Sequence, residues 1–353
     1  MKIEVLTPEK ENAYGRYLLK HEHSSFNSSL RFRDFFLGLS PKSIAYYFLA
    51  MEDDEIVGVL PSFMIKGPVG PVLNSMPWFG SNPGVLADND EATTLLLQAF
   101  QSTANWTNCF SSTLVDSPYQ SKQCQGMHEA FFWRTEGFAS KRTAMVTELP
   151  RFGSNEQFAA DLMKKFHRKI QDKIIKATSR CMIYEVSSKE DFDFARNLHI
   201  NNAASGARCK DREFGIIRSI LKSGAEYKLY VAFADDRYAT KIAFLLVWYF
   251  NRTADCLIVE VDPKYKHLHP LPLLVFSAMG DVAQRGCRWW NWGRVEPTTN
   301  ENDYLKRKRF GADPCRYSHY TRMYESLPAG VASKYLSDNY PYYFVIPYGL
   351  LVG

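Results

Sequence analysis

Residues 289–294 read Trp-Trp-Asn-Trp-Gly-Arg, and residues 303–311 read Asp-Tyr-Leu-Lys-Arg-Lys-Arg-Phe-Gly. The aromatic run predicts a buried strand, and the second run predicts a cationic loop that this strand brings to one place. Four consecutive cations repel one another and have no use in a core. The loop is therefore either a solvated turn or a site for something anionic, such as a phosphate or a developing oxyanion.

Length and charge set the broad class of the protein. The chain has 353 residues, of which 46% are hydrophobic and 23% charged, and this predicts about two globular domains. The net charge of +5 is too small to indicate a nucleic-acid-binding protein by itself. Its distribution tells more, because seven cations and only two acids stand between Asp161 and Arg180. This segment predicts either a contact with phosphates or a solvated helix face.

The cysteines and the N-terminus indicate the compartment. The seven cysteines are scattered singly, with no pair at the spacing of a metal site, so no bound metal is expected. The first residues lack the apolar run of a signal peptide, and no window approaches roughly 18 apolar residues. We therefore expect a cytoplasmic protein with reduced thiols.

The two halves of the chain show a similar order of predicted elements. The first half has a strand hairpin at 44–65 and a helix at 91–107. The second half opens with one long amphipathic helix at 156–180 and continues through helices, a hairpin, a third strand, a helix and the Trp-rich strand. The sequence thus predicts an α+β chain with mixed α/β sheets, divided into a first domain at 1–152, a second domain at 153–330 and a tail at 331–353.

Several separate motifs, taken in their order, resemble the Fem family of tandem acetyltransferase-fold (GNAT) proteins. They are the hairpin and strand at 56–61 and 73–77, the helix at 174–177, the hairpin at 229–232 and 243–246, the run 268–294, and the segment 304–311. The resemblance implies two tandem GNAT-like domains, of which the first is degenerate and the second carries the active site. It also implies aminoacyl-tRNA-dependent peptidyl transfer in cell-wall assembly, or a related step in polysaccharide biosynthesis.

The segment 304–311 is similar to the family motif Tyr-x-Phe-Lys-x-x-(Trp/Phe)-Gly. Counted back from Gly311, Arg307 stands at the family's lysine and Lys306 at the preceding phenylalanine. Arginine does not give up its proton, so Arg307 is predicted to stabilise an oxyanion or a phosphate and not to act as a base. Arg307, Lys306 and Tyr304, the last as a hydrogen-bond donor or proton relay, are the predicted catalytic residues.

Substrate-binding residues are predicted in several places. Cations of the basic helix would bind the phosphates of a tRNA end or of a nucleotide-linked sugar, although a solvated helix face fits them as well. Trp78 would stack on a sugar or a base, or belong to the core. Arg294 would bind a phosphate or carboxylate, or form an internal salt bridge. The full set is Lys164, Lys165, Arg168, Lys173, Trp78, Arg294, Lys308 and His269.

Amide formation needs a neutral amine, and an α-amino group is already partly neutral at pH 7, so a strong base is helpful but not required. Candidate bases stand near the expected strand ends, and each could instead cap a turn or lie on the surface. They are Glu260, Asp262, His267 and His269.

The turn before the last long helix bears on the acyl donor. Ordinary GNAT enzymes hold the CoA pyrophosphate on backbone amides of a glycine-containing turn. Residues 264–272 contain no glycine and two prolines, which have no amide hydrogen to donate. We expect no tightly bound cofactor, and a donor that is an aminoacyl-tRNA or an acyl thioester of CoA or a carrier protein.

Three functions remain open from the sequence. The first is an aminoacyl- or acyltransferase that forms an amide on a peptidoglycan or polysaccharide precursor, nucleotide-linked or lipid-linked, with tRNA as a partner and an association with the membrane surface. The second is a CoA- or carrier-dependent N-acyltransferase acting on an amino sugar. The third is a non-catalytic protein that binds an anionic glycan or nucleotide.

Overall fold

The computed structural model describes residues 1–77, 84–119, 122–133, 137–203, 206–235, 239–328 and 330–347. Two compact units are present. Unit 1 consists of Met1–Ala144 and Cys315–Gly353, and unit 2 consists of Met145–Pro314.

The chain begins with β1 (Lys2–Val5), α1 (Glu11–Lys20), α2 (Leu30–Leu39), β2 (Ser43–Glu52), β3 (Glu55–Gly67), β4 (Gly70–Asn74), β5 (Leu86–Ala87), α3 (Asp90–Trp106), β6 (Ser111–Val115), α4 (Lys122–Trp133) and β7 (Phe138–Glu148). It continues with α5 (Asn155–Lys165), α6 (Arg168–Thr178), β8 (Cys181–Val186), α7 (Lys189–Asn201), α8 (Ala207–Lys222), β9 (Glu226–Ala234), β10 (Lys241–Phe250), β11 (Thr253–Val261), a 3-10 turn (Pro263–Leu268), α9 (Pro270–Gln284), β12 (Trp289–Arg294) and α10 (Glu301–Arg309). The last elements are β13 (Asp313–Met323) and α11 (Ser333–Asn339).

Unit 1 is built on strands in the order β1-β2-β3-β4-β6-β13, in which β4 and β6 run parallel and the other neighbours antiparallel. Helix α3 buries Leu96 and Phe100 against the sheet residues Phe48 and Leu60. This apolar face explains why the leucine-rich segment forms a helix on the sheet.

The end of the chain, from Cys315 onward, belongs to unit 1. The sequence predicted instead that the second domain extends to residue 330 and that a tail follows at 331–353. The difference arises because β13 pairs with β6, so residues expected in the second domain complete the first sheet. The aromatic tail also packs on unit 1. The Tyr340 hydroxyl donates to the Gly70 carbonyl at 2.8 Å, and its ring lies so close to Gly67 that a Cβ there would be 2.4 Å from it.

Unit 2 contains strands in the order β12-β11-β10-β9-β8, and only β11 and β12 run parallel. Helix α9 buries a long apolar face, including Leu274 and Val275, and α6 packs beside it through Ile170 and Ile174. The predicted buried strand is present, since Trp290 and Trp292 of β12 are buried. The mixed sheets agree with the predicted α+β class.

The predicted single helix at 156–180 is wrong, because the chain is extended at Phe166 and His167 between α5 and α6. The buried Phe166 ring packs 5.4 Å from the Phe310 ring, and the His167 amide donates to the Arg309 carbonyl at 2.9 Å. These contacts with the end of α10 interrupt the amphipathic pattern. Gly311 makes the close approach possible, because a Cβ there would lie 2.9 Å from the Lys165 carbonyl oxygen and its φ is +71°.

The predicted cationic loop is also wrong, because residues Glu301–Arg309 form helix α10. The Asn300 side chain accepts a hydrogen bond from the Asp303 amide at the start of this helix. One turn later, Arg307 pairs with Asp303 at 2.6 Å. Capping and this ion pair outweigh the repulsion between neighbouring cations. Among the described residues, no helix has the length and hydropathy that a membrane span requires.

Candidate active site

The site of interest in unit 2 lies where β11 and β12 diverge. These parallel strands pair only through Thr253–Asp255 and Trp289–Asn291. Asp255 and Asn291 form the last pair, and the Asn291 side chain donates to Asp255 at 2.7 Å. The same side chain accepts from the Gly293 amide at 2.9 Å, which turns the end of β12 at a φ of +78°. Divergence of the two strands leaves space for ligands.

A large groove of about 800 Å³ lies beside β11. Its walls come from α6, the end of α7, the 3-10 turn, the start of α9, the end of β11 and the end of α10. Four exposed cations line it: Lys173, Lys266, Lys306 and Arg309. Within the described part of the chain, none of the four forms an ion pair with an acidic side chain. Their charges are therefore available to an anionic ligand.

His269 also lines this groove, and the positive charges around it affect its pKa. Burial lowers the pKa of His269, and the charges of Lys173, Lys176, Arg180 and His267 lower it further. The imidazole is therefore neutral at pH 7 and can accept or donate a hydrogen bond without adding to the positive charge.

The helix that begins at the groove offers few backbone donors. Pro270 and Pro272 stand in the first turn of α9 and carry no amide hydrogen, whereas Leu271 and Leu273 retain theirs. The His269 amide already donates a hydrogen bond to the Lys266 carbonyl at 3.2 Å. A phosphate in this groove would consequently be held mainly by side-chain cations, in contrast to a turn that presents consecutive amides.

A small cavity of about 260 Å³ adjoins the groove. The two share Val259, Glu260, Leu271 and Lys306 as lining residues. Side chains from α7, α8, β11, β12 and α10 complete the small cavity. The unbonded edge of β11 is thus common to both openings, as expected of a strand at the edge of a cleft.

Glu260 is held by donors on one side of the small cavity. Its carboxylate accepts from His199 Nδ1 at 3.0 Å, Asn202 Nδ2 at 2.8 Å and Lys210 Nζ at 3.0 Å. Burial raises the pKa of Glu260, but the three hydrogen bonds outweigh it and lower the pKa to about 2. Glu260 is therefore ionised at pH 7 and is a weak base.

His199 lies between two carboxylates. Its Nδ1 faces Glu260, and its Nε2 is 3.7 Å from Glu213 Oε2, which is too long for a hydrogen bond. Burial lowers the pKa of His199, and the two carboxylates raise it, with a net rise above the ordinary value. Because the ionised Glu260 accepts the Nδ1 proton, the neutral ring carries its lone pair on Nε2.

Arg307 lines the small cavity, but its guanidinium is occupied. Nη1 donates to the carbonyls of Gly293 at 3.0 Å and Arg294 at 3.1 Å, and Nη2 pairs with Asp303 at 2.6 Å. These bonds hold α10 against the end of β12. Arg307 is therefore part of the packing of unit 2 and not the loop cation that the sequence predicted.

Comparison with known proteins agrees with this geometry. Residues 164–307 match the family model described as an acetyltransferase (GNAT) domain. Unit 2 contains a GNAT acyltransferase domain. No curated protein matches the chain in sequence.

Solved structures extend the likeness to nearly the whole chain. A crystal structure of FemX superposes with a TM-score of 0.71 over 90% of this chain and 97% of that one, at 11% identity. A conserved protein of unknown function from Bacteroides thetaiotaomicron gives 0.56 over 92% and 99%, at 9% identity. A tandem GNAT protein from the clavulanic acid biosynthesis pathway gives 0.51 over 92% and 99%, at 12% identity. The predicted Fem-like tandem GNAT fold is confirmed, and so is the prediction of an acyltransferase.

The GNAT domain brings only part of the predicted site together. Lys306 lines both openings, Lys173 and His269 line the groove, and Arg307 lines the small cavity. Tyr304 packs against the apolar core. Trp78 lies outside the described residues. The predicted residues that line neither opening are Tyr304, Lys164, Lys165, Arg168, Arg294 and Lys308.

Two of these outlying cations have acidic neighbours. Lys164 pairs with Asp161 at 2.8 Å on an exposed helix face, and Arg294 lies 3.5 Å from Glu296. Of the candidate bases, Asp262 caps the 3-10 turn by accepting from the Lys264 amide at 3.0 Å. These contacts correspond to the structural alternatives that the sequence left open.

Sequence reasoning missed the groove cations Lys266 and Arg309 and the cavity residues His199 and Glu213. It also missed Lys210, which pairs with Glu260. Arg309 could have been found from the helical period, since it lies three residues after Lys306 and shares a helix face with it. His199 and Glu213 stand on different helices, and nothing in the sequence joins them to Glu260.

Proposed function

We propose that this protein is an aminoacyl- or acyltransferase that forms an amide on a cell-envelope peptidoglycan or polysaccharide precursor, with aminoacyl-tRNA as its donor. The observation that carries the proposal is the large groove, in which Lys173, Lys266, Lys306 and Arg309 stand without acidic partners among the described residues. Cations in this state favour a ligand with several phosphates. The motif resemblance to the Fem family supports the envelope precursor and a cytoplasmic site of action.

The start of α9 supports a tRNA donor over CoA. A CoA pyrophosphate is usually held by successive backbone amides, and Pro270 and Pro272 remove two of them. A polynucleotide end binds instead through side-chain cations, which this groove supplies. An acyl thioester of CoA or a carrier protein is the second candidate, and the match to the acetyltransferase domain family favours it.

The reaction joins an amine to an acyl carbon. The amine nitrogen attacks the carbonyl carbon and forms a C–N bond; the C–O bond of the ester then breaks, and the leaving oxygen takes up a proton equivalent to the one the amine loses. Lys306 is suited to stabilise the oxyanion, since the residue lines both openings and has no acidic partner in the described chain. Arg307 supports it by fixing α10.

The test is direct binding of the purified protein to acetyl-CoA, to bulk aminoacyl-tRNA and to the same tRNA after deacylation, at low and moderate salt. We expect aminoacyl-tRNA to bind with a strong salt dependence and acetyl-CoA to bind weakly. Tight acetyl-CoA binding would replace the first candidate by the second. Failure of both donors to bind would contradict the proposal.

A further inference from the structure

We propose that the small cavity binds the amine of the acceptor as an ammonium ion, that Glu213 holds its charge, and that His199, oriented by Glu260, takes its proton. The proposal rests on the proposed function, because it supplies the second substrate of the same reaction. It assigns a chemical class, a primary amine on a slender substituent, to an opening of about 260 Å³.

One carboxylate of the small cavity is placed to bind a cationic ligand. Its acidic side chains are Glu213, Glu260 and Asp303. Asp303 is neutralised by Arg307 at 2.6 Å, and Glu260 by Lys210 at 3.0 Å. Glu213 has no lysine or arginine within ion-pair distance among the described residues. The unpaired charges that remain are the Glu213 carboxylate and the Lys306 ammonium. Glu213 can pair with a cation that the ligand brings, while Lys306 also lines the groove that receives the donor.

The His199 ring gives a second and independent indication. The residue is 5% exposed, and Nε2 has no hydrogen-bond partner among the described residues although it is buried. A buried polar atom without a partner is costly and frequently marks a ligand position. The neutral ring carries its lone pair on this nitrogen, because Nδ1 donates to the ionised Glu260.

The proton balance follows from this arrangement. The N–H bond of the ammonium breaks, its proton moves to His199 Nε2, and the freed nitrogen lone pair attacks the donor carbonyl from the side that Lys306 also faces. An oriented histidine beside a carboxylate is an effective proton acceptor, since the carboxylate stabilises the imidazolium that forms. The raised pKa of His199 narrows the gap to the pKa of a primary ammonium, which makes the proton transfer less unfavourable.

Several charged groups act on His199 and must be included in any test by pH. Those that shift its pKa are Glu260 from β11 and Glu213 and Lys210 from α8. Asp303, Lys306 and Arg307 from α10 line the same cavity. An ammonium bound next to Nε2 adds a positive charge, which lowers the pKa of the imidazole.

The experiment follows the His199 imidazole by NMR titration of the full chain, with ethylammonium chloride as the probe and sodium chloride at equal ionic strength as the reference. Ethylammonium is a fragment common to slender primary amines and fits the opening. We expect a saturable fall in the pKa of His199 with ethylammonium only. Glu213→Gln is expected to weaken the apparent affinity at least about tenfold, because it removes a charged hydrogen-bond partner. Glu226→Gln, an exposed carboxylate on β9 outside both openings, is the matched control.

Equal titrations in the two salts would overturn the proposal, and so would unchanged ethylammonium affinity in Glu213→Gln. Aminoacyl-tRNA binding is measured on the same samples and should be unaffected by Glu213→Gln. In the wild-type protein, absence of ethylammonium binding together with intact tRNA binding refutes this inference alone. In the wild-type protein, ethylammonium binding without aminoacyl-tRNA binding refutes the proposed donor and supports the amine site.

Discussion

The large groove and the small cavity share Lys306, but they differ in whether their charged side chains are paired within the protein. In the groove, Lys173, Lys266 and Arg309 project from exposed positions without acidic partners among the described residues. In the small cavity, most charges are already paired within the protein, as the contacts of Arg307 show. The same residue type is thus available to a ligand in one opening and serves the fold in the other. The number of cations in a motif is therefore a poor guide to its function.

The largest expected effect separates the groove from the basic surface outside it. The triple variant Lys173→Glu, Lys306→Glu, Arg309→Glu should weaken aminoacyl-tRNA binding at least about a hundredfold, or about 3 kcal/mol, because it reverses three charges that face the phosphates. The matched variant Lys164→Glu, on a neighbouring helix face outside the groove, should change affinity less than about threefold. Equal losses in a filter-binding titration would show that the groove has no special part.

The next largest effect concerns the half-buried Asp255 carboxylate at the divergence of the strands. Burial raises the pKa of Asp255 to about 6, although Trp248 and Asn291 donate to it and oppose the rise. The folded protein therefore binds this proton more tightly than the unfolded chain. Its contribution to the free energy of unfolding is largest below about pH 4 and falls by up to about 3 kcal/mol as the pH rises to 6.

The Asp255→Asn variant checks this, because it cannot ionise and should lose that part of the pH slope in urea denaturation. The contribution of Glu260 to the free energy of unfolding changes with pH in the opposite direction. Its lowered pKa stabilises the fold at neutral pH, and the contribution is lost as the pH falls from about 4.5 toward 2. An unchanged slope in Asp255→Asn would mean that the carboxylate does not titrate where the geometry places it.

A smaller effect is expected from removing Arg307, whose charge is paired within the protein. Arg307→Ala should lower the free energy of unfolding by about 2 kcal/mol, since it leaves Asp303 and two carbonyls without their donor. It should also abolish transfer, because α10 then no longer holds Lys306 in place. Lys308→Ala, exposed on the same helix, should change stability by less than about 0.5 kcal/mol. Equal stability of the two variants would contradict the assigned role of Arg307.

The smallest expected effect concerns the residues that line neither opening. Arg294→Ala removes a partly exposed ion pair with Glu296 and should leave donor affinity unchanged within a factor of about two. The same binding titration measures it. A large loss would extend the binding surface beyond the groove.

The sequence was sufficient to predict the architecture, because apolar periodicity and the order of motifs can be recognised without knowledge of tertiary contacts. The Trp-rich strand, the hairpin of β9 and β10 and the tandem arrangement were all visible in this way. The break at Phe166 and His167 was not, since it depends on the packing of Phe166 against Phe310, far along the chain. The same limit applies to the site. Lys306 was found from its motif, whereas His199 and Glu213 become a pair only when two helices are brought to the edge of β11.

The measurement that tests the central claim most directly is the salt dependence of aminoacyl-tRNA binding to the wild-type protein and to the triple groove variant. If the unpaired cations of the groove neutralise phosphates, the slope of log K against log salt should become less steep by about 2 in the variant. A parallel pair of lines would contradict the account, because the phosphates would then be bound elsewhere on the protein.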